Sequence, residues 1–183
     1  MKLLRIAWLL AIASSAIFAS CKKDKTQEEE QLPPITQTGA NTFGCLINGK
    51  VYTPKGFEQN KPNFQIIVDP GFNDGNLDVR TYQKIGSNTL SLNFSSDSIK
   101  STGVYSISNN SRLGFYFYQV NSNTAVCNVL SRFTPGATGF LKITKFNLVE
   151  RVFSGEFEFH FSYPACGIGD PIHITQGRFD KKL

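Results

Sequence analysis

The sequence predicts an all-β domain, an antiparallel meander of about ten short strands closed as a lipocalin-like barrel or packed as a β-sandwich. Three observations carry that expectation. Apolar and polar residues alternate with period two across 41–183, and no window sustains a 3.6-residue period. Turn dipeptides punctuate the same region at short intervals. Aromatic residues are abundant, with 16 Phe, while charged residues make up only 18% of the chain, a composition suited to an apolar β core.

The chain opens differently. Lys2 and Arg5 are followed by an apolar, acid-free stretch from Ile6 to Phe18. That stretch has the length of a signal-peptide core and is too short to cross a hydrocarbon layer of roughly 30 Å as a helix. Phe18-Ala19-Ser20-Cys21 follows directly and resembles the bacterial lipobox, with Phe18 where Leu is usual. The expectation is a signal peptide over 1–20, cleaved before a lipid-modified Cys21. Two or three acyl chains on one cysteine give stable membrane attachment. Cleavage removes two cations and no acid from a chain of formal charge +5. The remaining mild excess has no basic stripe interleaved with aromatics, so nucleic acid is not an expected partner.

Residues 21–40 are polar, charged and proline-containing, and are expected to form a disordered, lipid-anchored tether with Glu28-Glu29-Glu30 as a solvated spacer. The single β domain is expected over 41–183. Its first hairpin, 43–47 with 50–53, turns at Asn48-Gly49, where both residues take positive φ. Strands 64–69 and 76–83 flank Pro70-Gly71-Phe72-Asn73-Asp74-Gly75. Strands 89–94 and 104–107 flank a Ser/Asp-rich loop, and Ser108-Asn109-Asn110-Ser111 turns into 112–120, which is apolar on both faces over 113–120. Strands 126–133, 140–146, 152–163 and 172–179 complete the series. The clearest alternation places Phe153, Phe157, Phe159, Phe161 and Tyr163 on a buried face. It places Ser154, Glu156, Glu158, His160 and Ser162 on a wet one.

With Cys21 acylated, Cys45, Cys127 and Cys166 remain. An exported chain with three cysteines forms at most one internal bridge. Cys127 with Cys166 is the expected pair, both near strand ends, and Cys45 is expected as a buried free thiol.

Candidate chemistry is sparse. There is no G-x-S-x-G, no H-E-x-x-H and no glycine-rich phosphate loop, and the two histidines leave little for a catalytic triad. No catalytic residues, no resident metal and no cofactor are expected. A hairpin closing through 164–170 brings His160 opposite His173 beside Glu158. The favoured reading is a pair of surface histidines; the competing one is a divalent-metal site, and a one-residue slip separates the faces. Asp74-Gly75-Asn76 imitates half a calcium loop without the distal Glu and reads as a turn. Tyr116, Phe117 and Tyr118 read mainly as core, with a stacking platform for a sugar or apolar ligand as the alternative.

The segments Gly39-Ala40-Asn41-Thr42-Phe43-Gly44-Cys45-Leu46-Ile47-Asn48-Gly49-Lys50, Phe153-Ser154-Gly155-Glu156-Phe157-Glu158-Phe159 and Ile174-Thr175-Gln176-Gly177-Arg178-Phe179-Asp180 resemble a family of Bacteroidota lipoproteins of unknown function. The resemblance covers both ends of the domain and implies fold, export and lineage, with no activity to carry over. The expected protein is an outer-membrane lipoprotein facing the periplasm or the cell surface. Its non-enzymatic β domain binds a small sugar or apolar ligand or an envelope protein. The alternative is a structural or assembly component of the envelope without a small-molecule ligand.

Overall fold

A computed structural model describes residues 31–58, 60–107, 113–121, 124–130, 136–161 and 171–183, with backbone alone for 124–130. Eleven strands are present among them: β1 (Ala40–Ile47), β2 (Lys50–Tyr52), β3 (Phe64–Asp69), β4 (Asn76–Ile85), β5 (Asn88–Asp97), β6 (Gly103–Ser106), β7 (Leu113–Asn121), β8 (Thr124–Leu130), β9 (Thr138–Asn147), β10 (Val152–Phe161) and β11 (Ile172–Lys182). They form two antiparallel sheets, ordered β2-β1-β11-β10-β9-β6 and β3-β4-β5-β7-β8. No helix among the described residues is long and apolar enough to cross a membrane.

The all-β, antiparallel expectation holds. The closed barrel does not, because neither sheet joins its own edges or the other's through the ladders of the described strands. The arrangement is sandwich-like, with one core cluster drawn from both inner faces. Rings from the two sheets meet directly: Phe94 of β5 lies 4.9 Å from Phe157 of β10, and Phe115 of β7 lies 4.5 Å from Phe159.

The simple meander also needs correction. β5 is followed in its sheet by β7, while β6 crosses to the other sheet and pairs with β9. The crossing is anchored by Ile99, which the Ser/Asp-rich composition around it conceals. Ile99 is fully buried, and its N–H donates to the Gly75 carbonyl at 3.1 Å. A Cβ on Gly75 would stand 2.6 Å from the Ile99 carbonyl oxygen, so only glycine permits this approach at φ +103°.

The predicted alternation in β10 is realised. Phe153, Phe157, Phe159 and Phe161 are buried, while Glu156, Glu158 and His160 are partly exposed. Phe157 faces Gly177 of β11 and Phe179 faces Gly155 of β10 in the cross-strand register. A Cβ on Gly177 would meet the Phe157 ring at 2.4 Å, and one on Gly155 would meet the Phe179 ring at 2.7 Å. Each ring therefore covers the glycine across from it, which protects backbone that a glycine leaves bare. Ser154, expected on the wet face, is instead fully buried.

Residues 31–39 explain Ser154. They belong to the segment expected to be a disordered tether, yet they pack as a strap on the outer face of the six-stranded sheet. Pro33 and Leu32 lie over Gly44, where a Cβ would meet Pro33 at 2.6 Å. The polar composition of this segment does not exclude docking, because its donors find one buried acceptor in Asp180. The tether expectation for 21–30 and the signal peptide over 1–20 lie outside the described residues.

Candidate functional site

A groove opens where the edges of the two sheets part. Its floor is made by Phe43 of β1 and Phe64 of β3, whose rings are 5.5 Å apart and buried in the core cluster. One wall is the strap, through Gln31 and Pro33; the other is the connection from Thr53 to Asn63. The part between strap and connection measures about 240 Å³. It continues into a wider part of about 670 Å³ bordered by Asn41, Phe57, Asn60, Asn63, Tyr82 and Lys181. The two parts share Asn41, Asn63 and Phe64.

The connection is closed on itself between Glu58 and Lys61 and fastened to β4. Tyr82 Oη donates to the Lys61 carbonyl at 2.8 Å and accepts the Glu58 N–H at 2.9 Å. The Tyr82 N–H donates to the Asn63 carbonyl, and Gln83 Nε2 donates to the Thr53 carbonyl. A parallel bridge between Lys55 and Gln83 fixes the near end. Phe57 is left 79% exposed at the rim. Asn41 and Asn60 both adopt positive φ, which asparagine tolerates better than other side chains. Lys181 Nζ sits 4.9 Å over the Phe64 ring. The groove thus combines an aromatic floor, carboxamide side chains, one exposed phenyl ring and a cation, a mixture chemically compatible with apolar surface together with hydroxyl or carbonyl groups.

The strap wall depends on Asp180. Its carboxylate accepts from Thr36 Oγ1 at 2.7 Å, from the N–H groups of Thr38, Gly39 and Ala40 at 2.9–3.0 Å, and from Ser154 Oγ at 2.7 Å. Burial pushes the Asp180 carboxyl up. The hydrogen bonds from Ala40, Thr36, Ser154 and Gly39 outweigh that effect and hold it at about 2.

The other sequence candidates fall in several places. Phe117 is core, whereas Tyr116 and Tyr118 face away from it, half-buried and near-parallel with ring centroids 6.0 Å apart. Burial raises the Tyr116 phenol above its usual value, and the neighbouring Tyr118 adds to the effect. His160 and His173 are direct cross-strand partners, with Nδ1 atoms 3.0 Å apart. Glu158 Oε2 is 4.0 Å from His160 Nε2. Asp74 lies in a tight turn and pairs with Lys100. Among the described residues no cluster of three or more His, Cys, Asp or Glu is placed to hold a metal.

Cys45 is a free thiol with no exposed surface; burial pushes it well up, opposed by the Arg178 charge. Cys127 pairs through its backbone with Gln119, but its side chain, together with Cys166 and Cys21, lies outside the described residues. So does the expected bridge.

The groove and the Asp180 cluster are the features that the sequence alone did not reveal. The usable signal was the turn-rich run from Pro54 to Asn63, with its two prolines and a glycine, too long for a simple hairpin loop. Comparison with protein-family models, with curated proteins and with solved structures finds no match.

Proposed function

We propose that this chain is an outer-membrane-anchored lipoprotein whose non-enzymatic β-sandwich binds a small ligand in the groove between the strap and the 53–63 connection. The observation that carries the reading is the groove itself: an open, aromatic-floored cleft whose walls are fastened by hydrogen bonds rather than left loose. Its chemistry suits a sugar or another ligand with an apolar face and several hydroxyl or carbonyl groups. Membrane attachment is assigned to acylated Cys21 on the strength of Lys2, Arg5, the apolar stretch and Ala19-Ser20-Cys21. The domain then faces the periplasm or the cell surface, and the lineage is that of the Bacteroidota lipoproteins it resembles.

Thermal-shift screening of the full chain in detergent against mono- and oligosaccharides and short fatty acids tests the groove. A ligand that raises Tm of wild type, and raises it much less in Phe57→Ser and Asn63→Ala, supports the assignment. A ligand whose shift survives both substitutions binds elsewhere, and no shift from any compound removes the small-molecule reading.

One observation favours the alternative, a structural or assembly role. The turn between β9 and β10 exposes Leu148 and Val149, the latter at 94%. Arg151 and Lys145 flank this apolar tip, which would suit docking onto another envelope component.

A further inference from the structure

The outer face of the six-stranded sheet carries a pair of imidazoles whose geometry goes beyond two surface side chains. His160 and His173 occupy directly opposed positions on β10 and β11, so the backbone ladder fixes their spacing. β11 is further fastened at this point to the first hairpin. The His173 N–H donates to Asn48 Oδ1 at 2.7 Å, the Asn48 N–H donates to the His173 carbonyl at 2.8 Å, and Asn48 Nδ2 reaches the Pro171 carbonyl. Both rings are solvent-accessible.

The two Nδ1 atoms lie 3.0 Å apart, at hydrogen-bond distance, close enough for one ion to reach both. Metal–imidazole bonds run about 2.0–2.1 Å. Two such bonds at a right angle place their nitrogens about 2.9 Å apart, whereas a tetrahedral angle places them about 3.4 Å apart. The hydrogen-bonded pair stands near the first of these values, so it can close on a right-angled ion such as Cu²⁺ or Ni²⁺ with less movement than a tetrahedral one requires. The other nitrogen of His160, Nε2, faces the Glu158 carboxylate at 4.0 Å. A metal-bound imidazole commonly donates its remaining N–H to such a carboxylate.

We propose that His160 and His173 form a bidentate site for a divalent transition ion with right-angled ligand preference, Cu²⁺ or Ni²⁺. Water fills the remaining positions, and Glu158 orients His160. The site is independent of the groove and of any ligand bound there. It agrees with the absence of a three-residue metal cluster among the described residues, because it needs only two protein ligands. Coordination uses both Nδ1 lone pairs, so an imidazole that carries its hydrogen on Nδ1 moves it through solvent to Nε2, as a neutral imidazole can.

Equilibrium dialysis of the full chain in detergent against CuCl₂ and NiCl₂, with electron paramagnetic resonance of the Cu²⁺ form, tests this. Wild type is expected to hold one Cu²⁺ per chain with a signal split by two nitrogens. Affinity should follow Cu²⁺ above Ni²⁺. His160→Ala and His173→Ala should each weaken binding about tenfold or more and reduce the splitting to that of one nitrogen, and the double variant should lose the nitrogen splitting and bind weaker still. Glu158→Gln should retain the two-nitrogen signal with a smaller loss of affinity. Retention of the wild-type affinity and signal in His173→Ala would overturn the proposal and assign the ion to other groups. A thermal melt of each metal-free variant, expected to match wild type because both rings sit on the wet face, separates loss of the site from loss of the fold.

Discussion

Asp180→Asn offers the sharpest test of how the strap is held. The carboxylate collects three hydroxyls and three backbone N–H groups from segments more than a hundred residues away in sequence, apart from Ser154 on the neighbouring strand. Asparagine keeps the shape but loses the charge, and it turns one acceptor into a donor facing other donors. The size of the effect follows from linkage. The folded state holds Asp180 at about 2 against an ordinary 3.8, a difference worth about 2.5 kcal/mol if nothing screened it. Only one layer of chain separates the carboxylate from water, so screening reduces this to about 1–2 kcal/mol.

The direction in pH is set by the depressed folded value. This stabilisation is fully present above the unfolded value near 3.8 and is lost as pH falls through that value toward 2. Urea melts at neutral pH should show Asp180→Asn less stable by about 1–2 kcal/mol. A series carried down to acid should show wild type and variant converging, because the wild-type carboxyl then takes up its proton. Parallel curves with no convergence would refute the argument. So would a variant as stable as wild type at neutral pH, since the strap would then be held by Pro33 and Leu32 alone.

Further outcomes follow from the core and the cysteines. Phe157→Ala removes a buried ring that touches Phe43 and Phe94, and should cost about 3–5 kcal/mol in urea melts, whereas Glu156→Ala, on the partly exposed face with only a surface ion pair to Lys142, should stay within about 0.5 kcal/mol. Gly177→Ala should cost about 1–3 kcal/mol because its Cβ drives into the Phe157 ring, and far less when Phe157→Ala is already present. Non-reducing peptide mapping should join Cys127 to Cys166 and leave Cys45 alkylatable only after unfolding; a bridge containing Cys45 would contradict its burial as a free thiol. A clickable palmitate analogue should label wild type and not Cys21→Ala, and label persisting on the variant would end the lipoprotein reading.

The parts of the fold legible in the sequence are those governed by local rules. Asn48-Gly49 sets the first hairpin, with both residues at positive φ. The alternating phenylalanines of β10 select its buried face, because a one-residue shift would expose all of them. Sheet order is not local in this sense. Whether β6 pairs with β7 or crosses to β9 depends on where Ile99 is buried, and one isoleucine among serines gives no periodic signal. Barrel against sandwich was undecidable for the same reason: both present identical alternation along each strand, and they differ only in whether the edge strands meet.

Asp180 shows why the site was harder to read than the fold. Phe179 points into the core, so parity places Asp180 outward, where a carboxylate ordinarily meets water. Parity says nothing about what else covers that face. The covering segment is polar because its task is to donate: Thr36, Thr38, Gly39 and Ala40 supply hydroxyls and N–H groups to one carboxylate. Viewed along the chain, such a run has nothing to bury and resembles a tether. Viewed across the sheet, it complements a charge that would otherwise be expensive to bury, and by docking there it brings Gln31 and Pro33 into the groove wall. Groove and anchor point are therefore coupled through Asp180. A substitution that releases the strap should open the narrow part of the groove, although Asp180 does not line it.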